Sequence, residues 1–358
     1  MRTKTLMFLI TYTCNLRCSY CYEPKVSAHR ISKDHLRSLI RQKVKALPES
    51  YDSFDIHFMG GEPLLEFDLI RDVSEWLWTQ RFGKKLGMVF APTNGTLMDD
   101  ERKRWFRDNR NRICLGLSFD GDLAMQNVNR SGSAQDIDLD FFSQTWPEQN
   151  VKMTLSPATV ASLYDGVTFL HSKGFKRVDA ELAKGESVGW TRNDLKVLSE
   201  QLSRLSQFYV DHRQYELSML DFDIFALSYS GSETSKICSC GEHLTCVDVD
   251  GREYACHLFS PVAMPREKAD ESRKIDFSCH ENFRSEKCDN CRLRLMCTRC
   301  YGMSFMSSGN VNTTDPIDCA SFKIIYIANC RHQLRLAEAF GDMKRKSRIK
   351  NLVNCLIN

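Results

Sequence analysis

The sequence predicts an α/β protein: a parallel sheet wound by helices, followed by a small cysteine-rich α+β region. Three observations predict it. Over the first 213 residues six short β-rich runs alternate with helical patterns. Of the 358 residues 42% are apolar, enough for a core of more than one domain. Twelve of the sixteen cysteines fall between Cys238 and Cys355, so the second half has a chemistry of its own.

The strand candidates, in order, are Thr5 to Thr11, Phe54 to Met59, Gly87 to Ala91, Ile113 to Phe119, Val151 to Leu155 and Arg177 to Leu182. Between them lie helix candidates Lys33 to Leu47, with Ser32 as N-cap, Phe67 to Arg81, Asp99 to Asp108, Thr159 to Lys173 and Arg192 to His212. Repeated β-then-α units imply right-handed crossovers and chemistry at the C-terminal ends of the strands. From residue 214 to 236 the helical period is lost, and Ser228 to Ser235 reads as a linker. In the cysteine-rich region, residues 237 to 340, Asp250-Gly251 between two β-like runs reads as a hairpin. A last helix, about Ala320 to Phe340, leads into a basic tail over 341 to 358 with Lys344 to Lys350 at its centre.

With 49 Lys+Arg against 46 Asp+Glu, the net charge of +3 gives no global field that would make nucleic acid or membrane the main partner. The first apolar run, Leu6 to Ile10, is far shorter than a signal-peptide core, and no run approaches the roughly 18 apolar residues of a spanning helix. The expectation is a cytoplasmic protein, whose thiols stay reduced, so metal ligation is the leading explanation of the cysteines.

Thr11-Tyr-Thr-Cys14-Asn-Leu-Arg-Cys18-Ser-Tyr-Cys21 sets three thiols at the spacing CxxxCxxC, in a loop after the first strand. Three thiolates on a four-iron cluster leave one iron open to a substrate, although a three-cysteine zinc site has similar spacing. Met59-Gly60-Gly61-Glu62-Pro63 ends the second strand, where glycines admit a ligand to the backbone and a carboxylate can hold an ammonium.

Together the two motifs resemble the radical S-adenosylmethionine (radical SAM) superfamily. The resemblance covers about the first 190 residues and implies a partial (β/α)6 barrel. It implies cluster ligation by Cys14, Cys18 and Cys21, Tyr20 near the adenine, and Gly60, Gly61 and Glu62 on the methionine amino group. Asn94 in Pro92-Thr-Asn-Gly95 and Ser118 in Ser118-Phe-Asp-Gly121 match two further SAM-contacting strand ends. Arg130 resembles an arginine that binds the SAM carboxylate; a surface salt bridge is its other reading. The implied chemistry is reductive cleavage of SAM to a 5′-deoxyadenosyl radical, with the cofactors carrying the hard step.

Cys288-x2-Cys291-x5-Cys297-x2-Cys300 is dense enough for metal on spacing alone, and a zinc ribbon in an interaction protein is the alternative of a different class. With Cys240-x5-Cys246-x9-Cys256 upstream and Cys319 downstream, the region resembles the SPASM extension of radical SAM enzymes. That resemblance implies two auxiliary [4Fe–4S] clusters: one on Cys240, Cys246, Cys256 and Cys300, the other on Cys288, Cys291, Cys297 and Cys319. The two-residue gap before Cys300 departs from the usual three, and Cys238 competes with Cys240. Cys114, Cys279, Cys330 and Cys355 read as core or surface thiols.

SPASM relatives modify peptides or proteins, so the expected substrate is a ribosomally synthesised precursor peptide that receives a thioether, carbon–carbon or related crosslink. The alternative is formylglycine formation by an anaerobic sulfatase-maturating enzyme, or another peptide oxidation. Sulfatase maturases have an aspartate where His257 stands, which weakens that reading and leaves His257 as a candidate general base. Asp248, Asp250, Glu242 and His243 are further polar candidates without assigned roles. With Cys14 so near Met1, no room is expected for a fused leader-gripping domain, so a separate leader-binding protein or the SPASM surface would take that role. A flavodoxin- or ferredoxin-type electron donor completes the expected partners. The basic run Lys344 to Lys350 reads as a solvated face or as a contact for an acidic leader.

Overall fold

The computed structural model describes residues 2–23, 29–225, 236–294 and 296–357. Four strands, β1 Thr3–Thr11, β2 Ser53–Gly60, β3 Lys85–Thr93 and β4 Ile113–Leu117, pair in parallel in the order β4-β3-β2-β1. β5 Val151–Leu155, β6 Arg177–Leu182 and the short β7 Glu216–Leu217 form a second parallel sheet. A bridge between Ser118 and Lys152, with Phe119 N–H donating to Lys152 O at 2.8 Å, carries the curve from β4 to β5. The six expected strands are present, and among the described residues the curve does not close.

β1 gives its other edge to β8 Leu244–Val247, which runs parallel to it and sets Cys246 opposite Met7. β9 Glu253–Tyr254 returns antiparallel through the Asp250-Gly251 turn, where Gly251 takes φ +81°. The cysteine-rich region thus begins inside the sheet of the first 213 residues instead of standing apart from it.

The crossovers are α1 Lys33–Lys45, α2 Phe67–Thr79, α3 Asp100–Asp108, α4 Leu123–Asn129, α5 Leu139–Thr145, α6 Leu163–Ser172 and α7 Arg192–Asp211. Ser32 caps α1 by accepting from His35 N at 3.3 Å, and Thr191 and Asp194 form a reciprocal capping box on α7. α4 and α5 stand where the sequence shows no helix. Each is only seven residues long, too short to display a period, and is started by an aspartate cap, Asp122 or Asp138.

Downstream lie α8 Arg266–Ser272, α9 Tyr301–Ser308, α10 Pro316–Ala339 and α11 Met343–Ile357. α10 starts earlier than expected because Asp315 accepts from Ile317 N at 2.6 Å, with Pro316 in the first turn. The basic run is no trailing tail: Lys344 to Lys350 lies within α11, which buries Ile349 in a second small core with Ile224, Phe225, Met296, Tyr326 and Cys330. The linker Ser228 to Ser235 lies outside the described residues, as does the Cys355 side chain. Among the described residues no helix is long and apolar enough to cross a membrane.

Candidate functional site

The three-cysteine loop leaves β1 at its C-terminal end and is pinned on both sides. Arg17 N–H donates to Ser131 Oγ at 2.9 Å, Ser19 N–H to Asn129 O at 2.9 Å and Cys21 N–H to Cys18 O at 3.2 Å. Cys14, Cys18 and Cys21 are all half-buried, and Leu16 N–H approaches Cys14 Sγ at 3.5 Å. Against this loop lies the Gly60-Gly61 turn, closed by Gly61 N–H to Thr11 O at 3.2 Å and Glu62 N–H to Thr13 O at 2.9 Å. A Cβ on Gly61 would sit 2.5 Å from Thr13 O and 3.0 Å from Cys14 Cβ, and Gly60 takes φ +155° with Thr11 O in the way. Only backbone fits there.

Glu62 is buried and accepts from Leu64 N at 3.0 Å and Thr93 Oγ1 at 2.8 Å on Oε1, and from Asn94 N at 2.7 Å on Oε2. Burial raises its pKa, and these three donors work against that rise. A carboxylate has about four acceptor positions, so Oε2 keeps one. Asn94 Nδ2 donates to Asn15 Oδ1 at 2.9 Å and so ties the third strand end to the cysteine loop. Ser118 is half-buried at the end of β4, its N–H bonded to Thr93 O at 2.9 Å.

Asp120, two residues past Ser118, is a site residue that cysteine and glycine spacing does not single out. It is fully buried. Its Oδ2 accepts from Tyr20 OH at 2.6 Å and Asn129 Nδ2 at 3.2 Å, its Oδ1 from Thr154 N at 2.8 Å, and its backbone N–H donates to Gln126 Oε1 at 2.8 Å. Arg130 Nε pairs with the same Oδ2 at 3.1 Å, and its guanidinium lies 5.6 Å over the Tyr20 ring. Arg130 is therefore a buried partner of the cysteine loop, which corrects the surface salt-bridge reading. A carboxylate at a strand end before Gly121, itself at φ +87°, was the signal available for Asp120.

The C-terminal cysteines gather into two sets. Cys288, Cys291, Cys297 and Cys319 line one cavity of about 230 Å³, with Arg299 and Thr314 in its wall. Burial first, opposed by Arg299 and reinforced by Cys319, Cys288 and Cys291, pushes the Cys297 thiol up to about 11. In the other set Cys240 and Cys246 are buried, and Cys256 is pushed up to about 12 by burial, then by charge on Cys300 and Cys238. Cys300 thus stands with Cys256 despite its short spacing from Cys297, and Cys238 and Cys240 are both in this neighbourhood. Lys184, after β6, lies between the sets: burial works against its ammonium, but Asp318, Cys300, Glu181 and Cys297 keep its pKa above the usual value. Cys114 and Cys330 are buried and Cys279 is exposed, as expected of thiols outside a site.

Tyr22 and His257 join the Cys256 set to the N-terminal loop, their rings 5.9 Å apart. Burial, then Glu23, Cys21, Cys256 and Cys300, hold the Tyr22 hydroxyl in its protonated form. His257 is lowered to about 4 by burial, and its Nδ1 is buried without a hydrogen-bond partner among the described residues. Of the other polar candidates, Asp248 is buried and accepts from Tyr12 OH, Arg266 pairs with Asp250 at 2.8 Å, Glu242 pairs with Lys236 and His280, and His243 Nδ1 meets Tyr51 OH at 3.2 Å. These contacts stitch the hairpin to its surroundings.

Residues 8–137 match the family model of the radical SAM superfamily. Those residues are a radical SAM domain. A serine-type anaerobic sulfatase-maturating enzyme of Klebsiella aerogenes is 24% identical over 324 residues, which span 82% of this chain and 78% of that one. A cysteine-type anaerobic sulfatase-maturating enzyme of Clostridium novyi is 24% identical over 366 residues, 91% of this chain and 96% of that one. Among solved structures, anSMEcpe with bound AdoMet superposes with a TM-score of 0.71 at 19% identity, over 99% of this chain and 98% of that chain. Streptococcus suis SuiB bound to precursor peptide SuiA gives 0.59 at 14% identity, over 89% of this chain and 76% of that chain. These likenesses show that the fold extends through the cysteine-rich region.

The cofactors of a radical SAM enzyme are S-adenosylmethionine and [4Fe–4S] clusters, and the residues present fit them. The N-terminal site offers three thiols and a side-chain-free glycine floor. In the C-terminal sets, burial raises Cys256 and Cys297, each with further thiols beside it, a donor chemistry that suits iron–sulfur clusters. Among the described residues no three His, Cys, Asp or Glu side chains are close enough to hold a single metal ion.

Proposed function

We propose that this radical SAM enzyme removes hydrogen from a residue of a ribosomally synthesised peptide and closes an intramolecular crosslink, thioether or carbon–carbon. The observation that carries the reading is the meeting of Tyr22 and His257 between the three-cysteine loop and the Cys256 set. In this reading an imidazole and an auxiliary set would stand beside the SAM site.

Cys14, Cys18 and Cys21 would ligate the cluster at the SAM site. Gly60, Gly61 and the remaining lone pair of Glu62 would receive the methionine ammonium, Arg130 its carboxylate, and Tyr20, Asn94 and Ser118 the rest of the molecule. When bound, SAM and the cluster would supply the one-electron chemistry needed to remove a hydrogen atom from carbon. The peptide then loses one proton and one electron as the new bond closes. His257, held neutral by burial, would take the proton as general base, and the set of Cys240, Cys246, Cys256 and Cys300 would hold the electron acceptor. The set of Cys288, Cys291, Cys297 and Cys319 would hold a second auxiliary cluster. A flavodoxin- or ferredoxin-type donor would reduce the enzyme, and a separate leader-binding protein would assist capture. A reducing, cytoplasmic setting would keep the cysteines available as cluster ligands.

A second reading, formylglycine formation, is favoured by the length over which sulfatase-maturating relatives align. Anaerobic turnover with SAM, a reductant, and either a candidate precursor peptide or a sulfatase-derived serine or cysteine peptide decides between them. A crosslinked product loses two hydrogens and ignores a hydrazide reagent, whereas formylglycine is trapped by it. Release of 5′-deoxyadenosine without any change in either peptide would sink both readings.

A further inference from the structure

A groove of about 1030 Å³ runs between α10, α11 and the 287–293 loop, away from the SAM site. Its floor is apolar: Leu293, Tyr326, Ile327, Leu334, Ile349 and Val353. Ile327 is 48% exposed on a helix whose opposite side is packed on α7. The rim carries five exposed cations, Lys287, Arg292, Lys323, Arg331 and Lys350, and neither Asp nor Glu lines the groove. Two carboxylates on flanking elements are engaged with other cations: Asp289 with Arg284 at 2.8 Å and Glu338 with Lys346 at 2.9 Å.

We infer that this groove binds an acidic amphipathic segment of the peptide substrate, such as its leader. An apolar trough between two helices accepts the apolar face of a helix, and a rim of one sign selects a segment of the other. The overall charge of +3 makes the local clustering meaningful, because the field belongs to this face and not to the whole chain. A folded acidic redox carrier would be steered by the same cations, but the concave apolar floor favours an inserted side-chain row over a flat protein face. This inference rests on the reading of the substrate as a peptide.

The test is fluorescence anisotropy on the cluster-loaded, full-length enzyme with a labelled synthetic helical peptide, Leu on one face and Glu on the other. Its twin carries Lys in place of Glu. The Glu peptide should bind saturably and weaken as salt is raised, while the Lys peptide should not bind. Arg331→Glu with Lys350→Glu should cost about tenfold in affinity, and Ile327→Asp alone should also cost about tenfold. Equal binding of both peptides, or unchanged affinity in both variants, would overturn the inference. It would equally be overturned if the charge-reversed enzyme kept its peptide affinity but lost SAM cleavage driven by reduced flavodoxin and not by dithionite, which marks a redox docking face. Anisotropy needs no turnover, so failure of the peptide-modification reading would appear separately, as absent product despite intact binding.

Discussion

The Tyr22 ring lies 5.9 Å from the His257 ring at a tilt of 40°, although one residue follows Cys21 and the other follows Cys256. The cause is in the sheet. β8 takes the free edge of β1, so the chain that carries Cys246 and Cys256 is delivered to the same end of the barrel as the three-cysteine loop. Tyr12, just past β1, fastens the two parts by donating to the buried Asp248 just past β8. The proton acceptor proposed for turnover is thus placed by backbone pairing.

His257→Ala should leave SAM cleavage to 5′-deoxyadenosine largely intact while cutting modified peptide by roughly 100-fold, the usual scale for a lost general base. His257→Gln should be as defective in product as the alanine variant if proton transfer, and not packing, is its contribution. Liquid chromatography of nucleoside and peptide from the same reaction separates the two yields. Equal loss of both yields would refute the assignment and make His257 a packing residue.

Replacing Cys14, Cys18 and Cys21 together with Ala should lower iron per chain from about 12 to about 8 after anaerobic reconstitution and abolish SAM cleavage. The eight remaining irons belong to the two C-terminal sets, whose thiols lie on separate elements. Replacing Cys288, Cys291, Cys297 and Cys319 instead should also leave about 8 but preserve the SAM-site signal in electron paramagnetic resonance. Zinc in place of iron would contradict the cluster reading.

Gly60→Ala should destroy SAM-dependent activity more completely than any change on the rim of the same site. The new methyl meets Thr11 O, and the backbone there, at φ +155°, is a conformation L residues rarely adopt. Gly61→Ala pushes on Thr13 O and Cys14 Cβ and so displaces the cysteine loop itself. Iron incorporation at the first site is the measurement, and a fully loaded, active Gly61→Ala enzyme would refute the tight-cradle account.

The strands and their C-terminal loops were legible because each is a short β-rich run ending in glycine or polar residues, and Val151–Leu155 and Arg177–Leu182 fall where expected. Helices α4 and α5 were not, since seven-residue helices carry two turns of pattern and α4 leaves Leu123 and Val128 exposed. The Lys344 to Lys350 run hid α11, in which Ile349, the one deeply buried residue among those described, is flanked by cations. At the site, cysteine spacing announces ligands, but Asp120 and Tyr22 act through contacts at long sequence separation that no spacing records.

Asp120→Asn should destabilise the enzyme by about 3 kcal/mol, because it leaves the buried Arg130 guanidinium without its carboxylate. Thr154 N can still donate to the amide oxygen, so the backbone should keep its course. The double variant Asp120→Asn with Arg130→Met removes the orphaned charge and should recover part of that loss in denaturant unfolding. Both variants should bind SAM more weakly than the wild type, since Tyr20 and Arg130 lose their common anchor. Additive unfolding losses in the double variant would show that the pair is not coupled.

Acidification should weaken the barrel through His171, away from any cysteine set. Its Nδ1 meets Phe175 O at 2.8 Å and its Nε2 meets Tyr209 OH at 2.7 Å, with the Tyr215 ring stacked at 4.3 Å. With Nδ1–H donating to the carbonyl, neutral Nε2 accepts from the tyrosine; a second proton there would oppose that hydrogen bond. Burial, only partly offset by Phe175 O, lowers its pKa below the ordinary value of 6.5, so the unfolded chain binds the proton more readily than the folded one. The stabilisation is therefore complete above pH about 6.5 and is lost as pH falls through the depressed folded value. His332, lowered by burial and hydrogen-bonded to Ser206 on α7, adds to the same slope. In apo-protein melts, His171→Gln should be less stable than wild type at pH about 7.5 yet show a shallower decline toward pH about 5. An unchanged slope would mean that acid stability is set elsewhere.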